Sequence, residues 1–205
     1  MFESYENAAQ VAVLLACTAV ALARAIRYKS RAWTLLSFFY GVWLLGDTYW
    51  QLCLIFYDRS PQIPVVSDLS WYAGYLFLYI LLRQTAPPEA GVHKTRLAWL
   101  GGVFAFGMAA YYMQYGQIIS NIIYASLMGL LIFTIIRRVT DREAYRNQQY
   151  LCLAAIVFIL CEYGMWTASC IFTEDGLRNP YYWFDILMTV NFPFFLIAVK
   201  KAVRK

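Results

Sequence analysis

Charged side chains are scarce in this sequence: Asp, Glu, Lys and Arg together make up 14% of its 205 residues. A soluble domain usually carries about 25% charged residues. Hydrophobic residues make up 61% of the chain, and a soluble fold of this size leaves too much surface exposed to hide so many apolar side chains. The composition therefore argues against a soluble enzyme, a disordered chain and a disulfide-stapled secreted domain. It favours a protein that resides in a membrane.

Residues with catalytic or metal-binding chemistry are also few. The chain has one histidine, His93, and its five cysteines form no Cys-x-x-Cys pair, so a zinc site or a Cys–His hydrolase has little to work with. No lysine lies inside the last apolar stretch, where a retinal Schiff base would need one. The Gly-x-Gly-Asp pattern of intramembrane aspartyl proteases is missing. We therefore expect no enzyme, no metal and no cofactor, while Cys53 and Cys170 are either a disulfide or two free thiols.

Seven apolar stretches meet or approach the roughly 20 residues that a membrane-spanning helix needs. They cover residues 7–26, 33–57, 65–82, 97–113, 117–136, 150–172 and 181–199. The expected fold class is an all-α polytopic membrane protein, in which residues 1–205 form a single domain of seven transmembrane helices.

Basic residues mark one side of these spans. Fifteen of the seventeen lysines and arginines lie in four segments, which are residues 24–31, 83–96, 137–146 and 200–205. These basic segments alternate along the chain with more acidic ones. The positive-inside rule assigns these segments to the cytoplasm. We therefore expect the N-terminus outside, the C-terminus inside and an integral location in a plasma (inner) membrane, with lipids as partners. Nucleic acid is not an expected partner, because its binders gather basic residues on one face of a soluble module.

The chain also contains a weak internal repeat. A shift of 117 residues aligns Cys53–Arg83 without gaps and pairs Cys53 with Cys170 and Asp68 with Asp185. Both stretches contain a span, an outer loop with proline, an aspartate at the head of the next span and a basic inner end. This predicts a parallel 3+1+3 layout, with repeat one at about 7–83, a connector helix at about 97–113 and repeat two at about 117–200. The layout is similar to that of SWEET-type transporters in architecture only.

Two carboxylates lie deep in the predicted spans. Asp47 and Glu162 are each about ten residues from the outer end of their span, which at 1.5 Å per residue is close to mid-bilayer. An ionised carboxylate there costs about 2.5–3.5 kcal/mol on insertion scales and normally marks a ligand, ion or proton pathway. Asp68 and Asp185 lie at the outer starts of spans three and seven. Each of these two either caps its helix or lies at the mouth of a site.

Aromatic residues accompany the acids. We expect Trp50, Trp166 and Tyr75 to wall a ligand pocket whose floor is Asp47 and Glu162, although tryptophan and tyrosine also collect at membrane interfaces. Asn191 is a further candidate contact, with helix packing as its alternative. Carboxylates beside aromatic rings suit an organic cation. The expected ligand is therefore a small molecule or a cation.

The string Gly46–Trp50, then Pro61 and Pro64, then residues 67–75 resembles the membrane-embedded sensory regions that precede diguanylate cyclase (GGDEF) output domains in bacteria. This resemblance implies a sensor or receptor. Since no output domain follows Lys205, such a sensor is expected to signal through a separate cytoplasmic partner at the basic inner loops. The alternative is a small-molecule or cation transporter with its site between the two repeats.

Overall fold

The computed structural model describes residues 2–61, 65–87 and 96–203, and these ranges contain helices and no strands. Short 3-10 turns at Arg96–Ala98 and Arg146–Gln148 precede the fourth and sixth helices. The seven α-helices are α1 (Phe2–Tyr28), α2 (Arg31–Tyr57), α3 (Val65–Gln84), α4 (Trp99–Tyr112), α5 (Ile118–Thr140), α6 (Gln149–Ile171) and α7 (Pro180–Ala202). A helix lies at each of the seven predicted stretches, so the all-α prediction is confirmed.

Five of these helices, α1, α3, α5, α6 and α7, are long and apolar enough to cross a membrane, which is consistent with a membrane protein. The helix α2 has 27 residues, but its aromatic residues and Asp47 lower its mean hydropathy, and α4 has only 14 residues. Both still expose large apolar side chains, with Phe56 of α2 at 74% and Val103 of α4 at 70% exposure. Their outward faces are therefore apolar as well.

The helices form a ring with α4 at its periphery. Around the ring α1 packs on α2, α2 on α3, α3 on α5, α5 on α6, α6 on α7 and α7 on α1. The helix α4 packs mainly on α5, and smaller contacts cross the ring between α2 and α7 and between α3 and α6. Residues that are distant in sequence therefore meet along the centre of the bundle.

Aromatic rings fill part of this centre. We call Phe39, Phe158, Phe192 and Phe195 the phenylalanine cluster; all four are fully buried. The ring centroid of Phe39 lies 5.6 Å from that of Phe158 and 5.3 Å from that of Phe195, in the tilted and edge-to-face arrangements that aromatic quadrupoles favour. One turn further along α2, Trp43 covers the cluster, with its centroid 5.4 Å from that of Phe158.

The charged helix ends separate into two groups. We call one end of the bundle the basic end, because it holds Arg24, Arg27, Arg31, Arg83, Arg137, Arg138, Arg146, Lys200 and Lys201. The opposite end, which we call the acidic end, holds Glu3, Glu6, Glu174 and Asp175. The predicted positions of Pro64, His93, Lys94, Arg204 and Lys205 fall outside the described residues.

The start of α1 differs from the sequence prediction. The predicted span begins at residue 7, but the helix begins at Phe2. The backbone N–H groups of Phe2 and Glu3 donate to the Asp175 carboxylate at 3.1 and 3.0 Å. A carboxylate at a helix N-terminus pairs otherwise unsatisfied donors and interacts favourably with the positive end of the helix dipole. A residue from the loop between α6 and α7 thus extends α1 beyond its apolar segment.

Candidate functional site

A cavity of about 500 Å³ lies at the acidic end, between α1, α2, α6 and α7. Loop residues Ser60, Thr173 and Glu174 are among those at its mouth, and Trp43, Asp47 and Glu162 are among its deepest lining residues. The volume is within the range of about 300–1,000 Å³ that is usual for small-molecule sites. The phenylalanine cluster lies beyond Trp43, so packed aromatic rings close the cavity toward the basic end.

Five of the predicted site residues line this cavity: Asp47, Trp50, Glu162, Trp166 and Asp185. A sixth, Tyr75, is fully buried behind the wall, and its hydroxyl donates to Glu162 Oε2 at 2.6 Å. The fold therefore brings together acids and aromatic residues that are more than a hundred positions apart in the chain.

Asp68 and Asn191 are not brought to the cavity. Asp68 is half-buried in the first turn of α3 and does not line the cavity. Asn191 is buried and donates Nδ2 to the carbonyl oxygen of Ala154 at 2.9 Å. This bond joins α7 to α6, which corresponds to the helix-packing alternative for Asn191.

Asp185 does not cap α7. The cap is Asn179, whose side chain accepts from the backbone N–H of Tyr181 at 2.9 Å. Asp185 lies six residues after this cap, where its Oδ1 accepts from Gln10 Nε2 at 3.0 Å and its carboxyl faces that of Glu6. It therefore belongs to the wall that α7 and α1 share.

Asp47 is held by one oxygen only. Its side chain is 4% exposed, and Oδ1 accepts from Trp71 Nε1 at 3.3 Å. The backbone carbonyl of Asp47 accepts from Asn7 Nδ2 at 3.2 Å, which fixes α2 against α1. The second oxygen, Oδ2, is buried and has no hydrogen-bond partner among the residues that the structure describes.

Glu162 shows the same asymmetry. It is 2% exposed, and its Oε2 accepts from two hydroxyls, Tyr75 at 2.6 Å and Tyr124 at 2.9 Å. These donors come from α3 and α5, so three helices converge on one oxygen. Within the described ranges Oε1 has no partner. A buried acceptor without a donor costs about 1–3 kcal/mol, so a group that donates to either oxygen would be stabilising.

The lining of the cavity is strongly acidic. Seven of the twelve Asp and Glu residues of the chain line it, and no lysine, arginine or histidine does so in the described ranges. The seven are Glu3, Glu6, Asp47, Glu162, Glu174, Asp175 and Asp185. Because charges interact more strongly away from bulk water, this lining favours a positively charged occupant.

Tryptophans form much of the remaining wall. Trp71 lies between Trp43 and Trp50, with centroid distances of 6.1 and 5.9 Å. Trp166 stacks on Tyr124 at 3.7 Å. Four of the seven tryptophans of the chain therefore line the cavity, namely Trp43, Trp50, Trp71 and Trp166. A location at the membrane interface alone does not account for these four.

The position of Trp43 depends on Gly74. A Cβ atom placed on Gly74 would lie 2.3 Å from Trp43 Nε1 and 2.7 Å from its Cδ1. Only a residue without a side chain lets the indole pack so closely on α3. Gly74 thus supports the cavity floor.

Several site residues were not found from the sequence. The most informative are the polar residues of α1, where Glu3, Glu6, Asn7 and Gln10 all line the cavity. Their spacing of three and four residues places them on one helix face, a signal visible in the sequence. Tyr124, by contrast, carries no local signal, because its role depends on where α5 packs.

A second cavity, of about 590 Å³, lies at the basic end. It is bounded by the start of α2, the end of α3 and the segment that leads into α6, and Arg31 and Arg146 are among its lining residues. This end therefore has both an exposed positive charge and a recess.

The cysteines and the comparisons with known proteins add no further chemistry. All five cysteines are free thiols, so Cys53 and Cys170 are two free thiols and not a disulfide. Among the described residues, no group of three His, Cys, Asp or Glu side chains is placed to hold a metal ion. No family model, no curated protein and no solved structure matches this chain. The resemblance of residues 46–75 to bacterial sensory regions thus stays a prediction.

Proposed function

We propose that this protein is a seven-span membrane receptor that binds a small molecule or ion in the acidic-end cavity and signals to a separate partner. The observation that carries the proposal is the pair of buried carboxylates, Asp47 and Glu162, which line a cavity of about 500 Å³ with one unpaired oxygen each. Intramembrane acids of this kind normally contact a ligand, an ion or a proton path. The chemistry is binding, without catalysis.

The charge distribution supports the orientation. The basic end holds the helix ends that carry arginine and lysine side chains. The positive-inside rule therefore assigns it to the cytoplasmic side of a bacterial inner membrane. The cavity then opens to the outside. Exposed apolar faces on α2 and α4 support their inclusion as spans, which makes seven.

The helix contacts support the parallel repeat. In the proposed repeat α1 corresponds to α5, α2 to α6 and α3 to α7. The contact of α1 with α7 then corresponds to the contact of α5 with α3. The crossing contact of α2 with α7 likewise becomes that of α6 with α3. Every main contact of the ring has such a counterpart, and α4 stands outside as the connector. The 3+1+3 layout is therefore part of the proposal.

The phenylalanine cluster favours a receptor over a transporter. A transporter must open its site to both sides of the membrane in turn, and here four buried rings separate the cavity from the basic end. In a receptor the ligand only has to shift the bundle between two packings. A cytoplasmic partner would detect that shift at the recess of the basic end, in keeping with the sensory resemblance.

The transporter remains the second candidate because of one observation. Among the described residues the two proposed repeats meet mainly through two helix pairs, α1 with α7 and α3 with α5, besides the smaller crossing contacts. A rocking motion between repeats would pass through these same contacts, and the cavity lies beside one of them.

Sided labelling of the cavity wall tests the proposal. The five native cysteines are replaced, and single cysteines are introduced as Met165→Cys and Ser169→Cys, two lining positions of α6. Oriented vesicles are then exposed on either side to a charged, membrane-impermeant thiosulfonate. Leu160→Cys, on the exposed apolar face of the same helix, is the matched control and is expected to stay unlabelled.

Labelling from the acidic-end side alone is the expected result for a receptor. Labelling from both sides would replace the receptor with the transporter. If neither lining position reacts from either side, the cavity is not accessible to water and the proposal is wrong.

A further inference from the structure

We propose that the ligand of the cavity is a primary ammonium ion with an apolar or aromatic body, bound by its nitrogen between Asp47 Oδ2 and Glu162 Oε1. This inference rests on the proposed function, since it names the chemical class of what the cavity binds. It follows from the hydrogen-bonding state of the two carboxylates, the charge of the lining and the rings around them.

The two unpaired oxygens define what the head group must supply. Trp71 occupies one oxygen of Asp47, and Tyr75 and Tyr124 occupy one oxygen of Glu162. The remaining oxygens are buried acceptors without a donor. A ligand that satisfies both must therefore present at least two hydrogen-bond donors. A primary ammonium has three N–H donors, whereas a quaternary ammonium has none.

The charge of the lining decides between a cationic and a neutral donor. A neutral alcohol or amide could also donate to the two oxygens, but a cation is in addition attracted by the other acidic groups of the lining. Seven carboxylates and no basic side chain line the described part of the cavity. A hydrogen bond with an ionised donor is roughly twice as strong as one between two neutral groups, and an ammonium also carries a full positive charge into an acidic lining, so the cation is favoured.

The placement of the acids decides between an organic and a metal cation. A metal ion requires several oxygens that converge on one point. Among the described residues no three acidic, histidine or cysteine side chains are so placed. The carboxylates are instead distributed over the walls of the cavity.

The tryptophans account for the body of the ligand. Trp43, Trp50 and Trp71 form one wall with centroids about 6 Å apart. Such a wall offers apolar area to an alkyl or aryl group and ring faces to the adjacent positive charge. A cavity of about 500 Å³ has room for such a molecule.

Ligand-observed magnetic resonance on the full chain in nanodiscs tests this assignment. The probes are three matched sets: primary ammonium ions from ethylammonium to tryptammonium, their trimethylated counterparts, and the corresponding alcohols. We expect the larger primary ammonium ions to bind at millimolar concentration or better. The alcohols and trimethylated ions should bind at least about tenfold more weakly, since they lack either the charge or the donors.

Two isosteric variants assign the site. Asp47→Asn and Glu162→Gln should each weaken binding of the primary ammonium ions about tenfold or more. Asp58→Asn is the matched control, because it removes an acidic charge at the same end from a residue outside the cavity. A size-exclusion elution volume and a melting temperature equal to those of the unsubstituted protein would show that each variant is folded.

The outcomes separate this inference from the proposed function. If the alcohols bind as tightly as the primary ammonium ions, the ammonium class is wrong and the receptor proposal stands. If the trimethylated ions bind equally well, the N–H contacts are wrong. If the primary ammonium ions bind equally well to both isosteric variants, the placement is wrong. If no probe of any set binds, the ammonium class is wrong, and the sided labelling of the cavity decides whether the receptor proposal stands.

Discussion

The bundle has two halves, on either side of Trp43, that are built from opposite kinds of side chain. Toward the acidic end the centre is open and lined by carboxylates, of which Asp47 and Glu162 are the deepest. Toward the basic end the centre is closed by Phe39, Phe158, Phe192 and Phe195. Well-packed rings contribute stability and leave no room for a ligand, whereas buried polar groups cost stability unless they are satisfied. The difference fits the proposal that one half holds the bundle together and the other half binds a ligand.

The largest expected effect lies in the closed half. Phe158→Ala removes a fully buried ring that contacts Phe39, Trp43 and Tyr75. Large-to-small changes of this kind cost about 3–5 kcal/mol, and we expect such a loss in the free energy of unfolding in mixed detergent micelles. Phe106→Ala, on the exposed face of α4, is the control and should change it by less than about 1 kcal/mol. Equal losses would show that the cluster has no special role in stability.

A second prediction concerns the hydroxyls behind Glu162. Tyr75→Phe removes one of the two donors to Oε2, and hydrogen bonds to charged groups contribute about 1.5–3 kcal/mol. Tyr163→Phe is the matched control, since its buried hydroxyl has no partner among the described residues. We expect thermal unfolding to show a clear loss for the first variant and none, or a small gain, for the second. The reverse order would mean that the hydroxyl network around Glu162 is misassigned.

A third prediction concerns the boundary between the halves. Gly74→Ala introduces a Cβ 2.3 Å from Trp43 Nε1, and overpacking of this kind costs about 1–3 kcal/mol. In α2, Gly41→Ala meets nothing within 4 Å and should stabilise the helix by about 0.5–1 kcal/mol. Tryptophan emission and the unfolding midpoint together measure both effects. If the two variants behave alike, Trp43 does not pack on Gly74.

The smallest expected effect is at the mouth of the open half. Asp175→Asn keeps only one of the two oxygens that accept from the start of α1, and it removes the charge that faces this helix end. The loss of the charge alone costs about 0.3–1 kcal/mol. Hydrogen exchange should accelerate in the first turn of α1 and stay unchanged in α6. Asp58→Asn, at the end of α2, should leave the first turn of α1 unaffected. Unaltered exchange in the Asp175 variant would contradict the contact between this loop and α1.

The helices and the depth of the two acids could be predicted from the sequence, because both depend on local quantities. Hydropathy locates a helix, and the rise per residue places Asp47 and Glu162 along it. The neighbours of a side chain depend on which helix packs opposite. The repeat aligns Asp68 with Asp185, but their neighbours differ. Asp185 accepts a hydrogen bond from Gln10 of α1, whereas the residue of α5 that aligns with Gln10 is Leu127, whose side chain has no donor.

Contacts between distant segments explain most of the remaining differences. The extension of α1 to Phe2 depends on Asp175, and the second donor to Glu162 comes from Tyr124 on α5. The sequence around Asp175 and around Tyr124 contains no pattern from which the partner of either residue could be predicted. The polar face of α1 is different: Glu3, Glu6, Asn7 and Gln10 show a helical spacing that sequence reasoning can use.

A crystal structure of the full chain, grown in lipid with the primary ammonium probe 4-bromophenethylammonium, tests the central claim most directly. The anomalous signal of bromine locates the ring, and the density locates the nitrogen. We predict a bromine peak among Trp43, Trp50 and Trp71, with the nitrogen within about 3 Å of Asp47 Oδ2 and Glu162 Oε1. A peak outside the cavity, or an empty cavity under saturating probe, would contradict the division of the bundle into a binding half and a packed half.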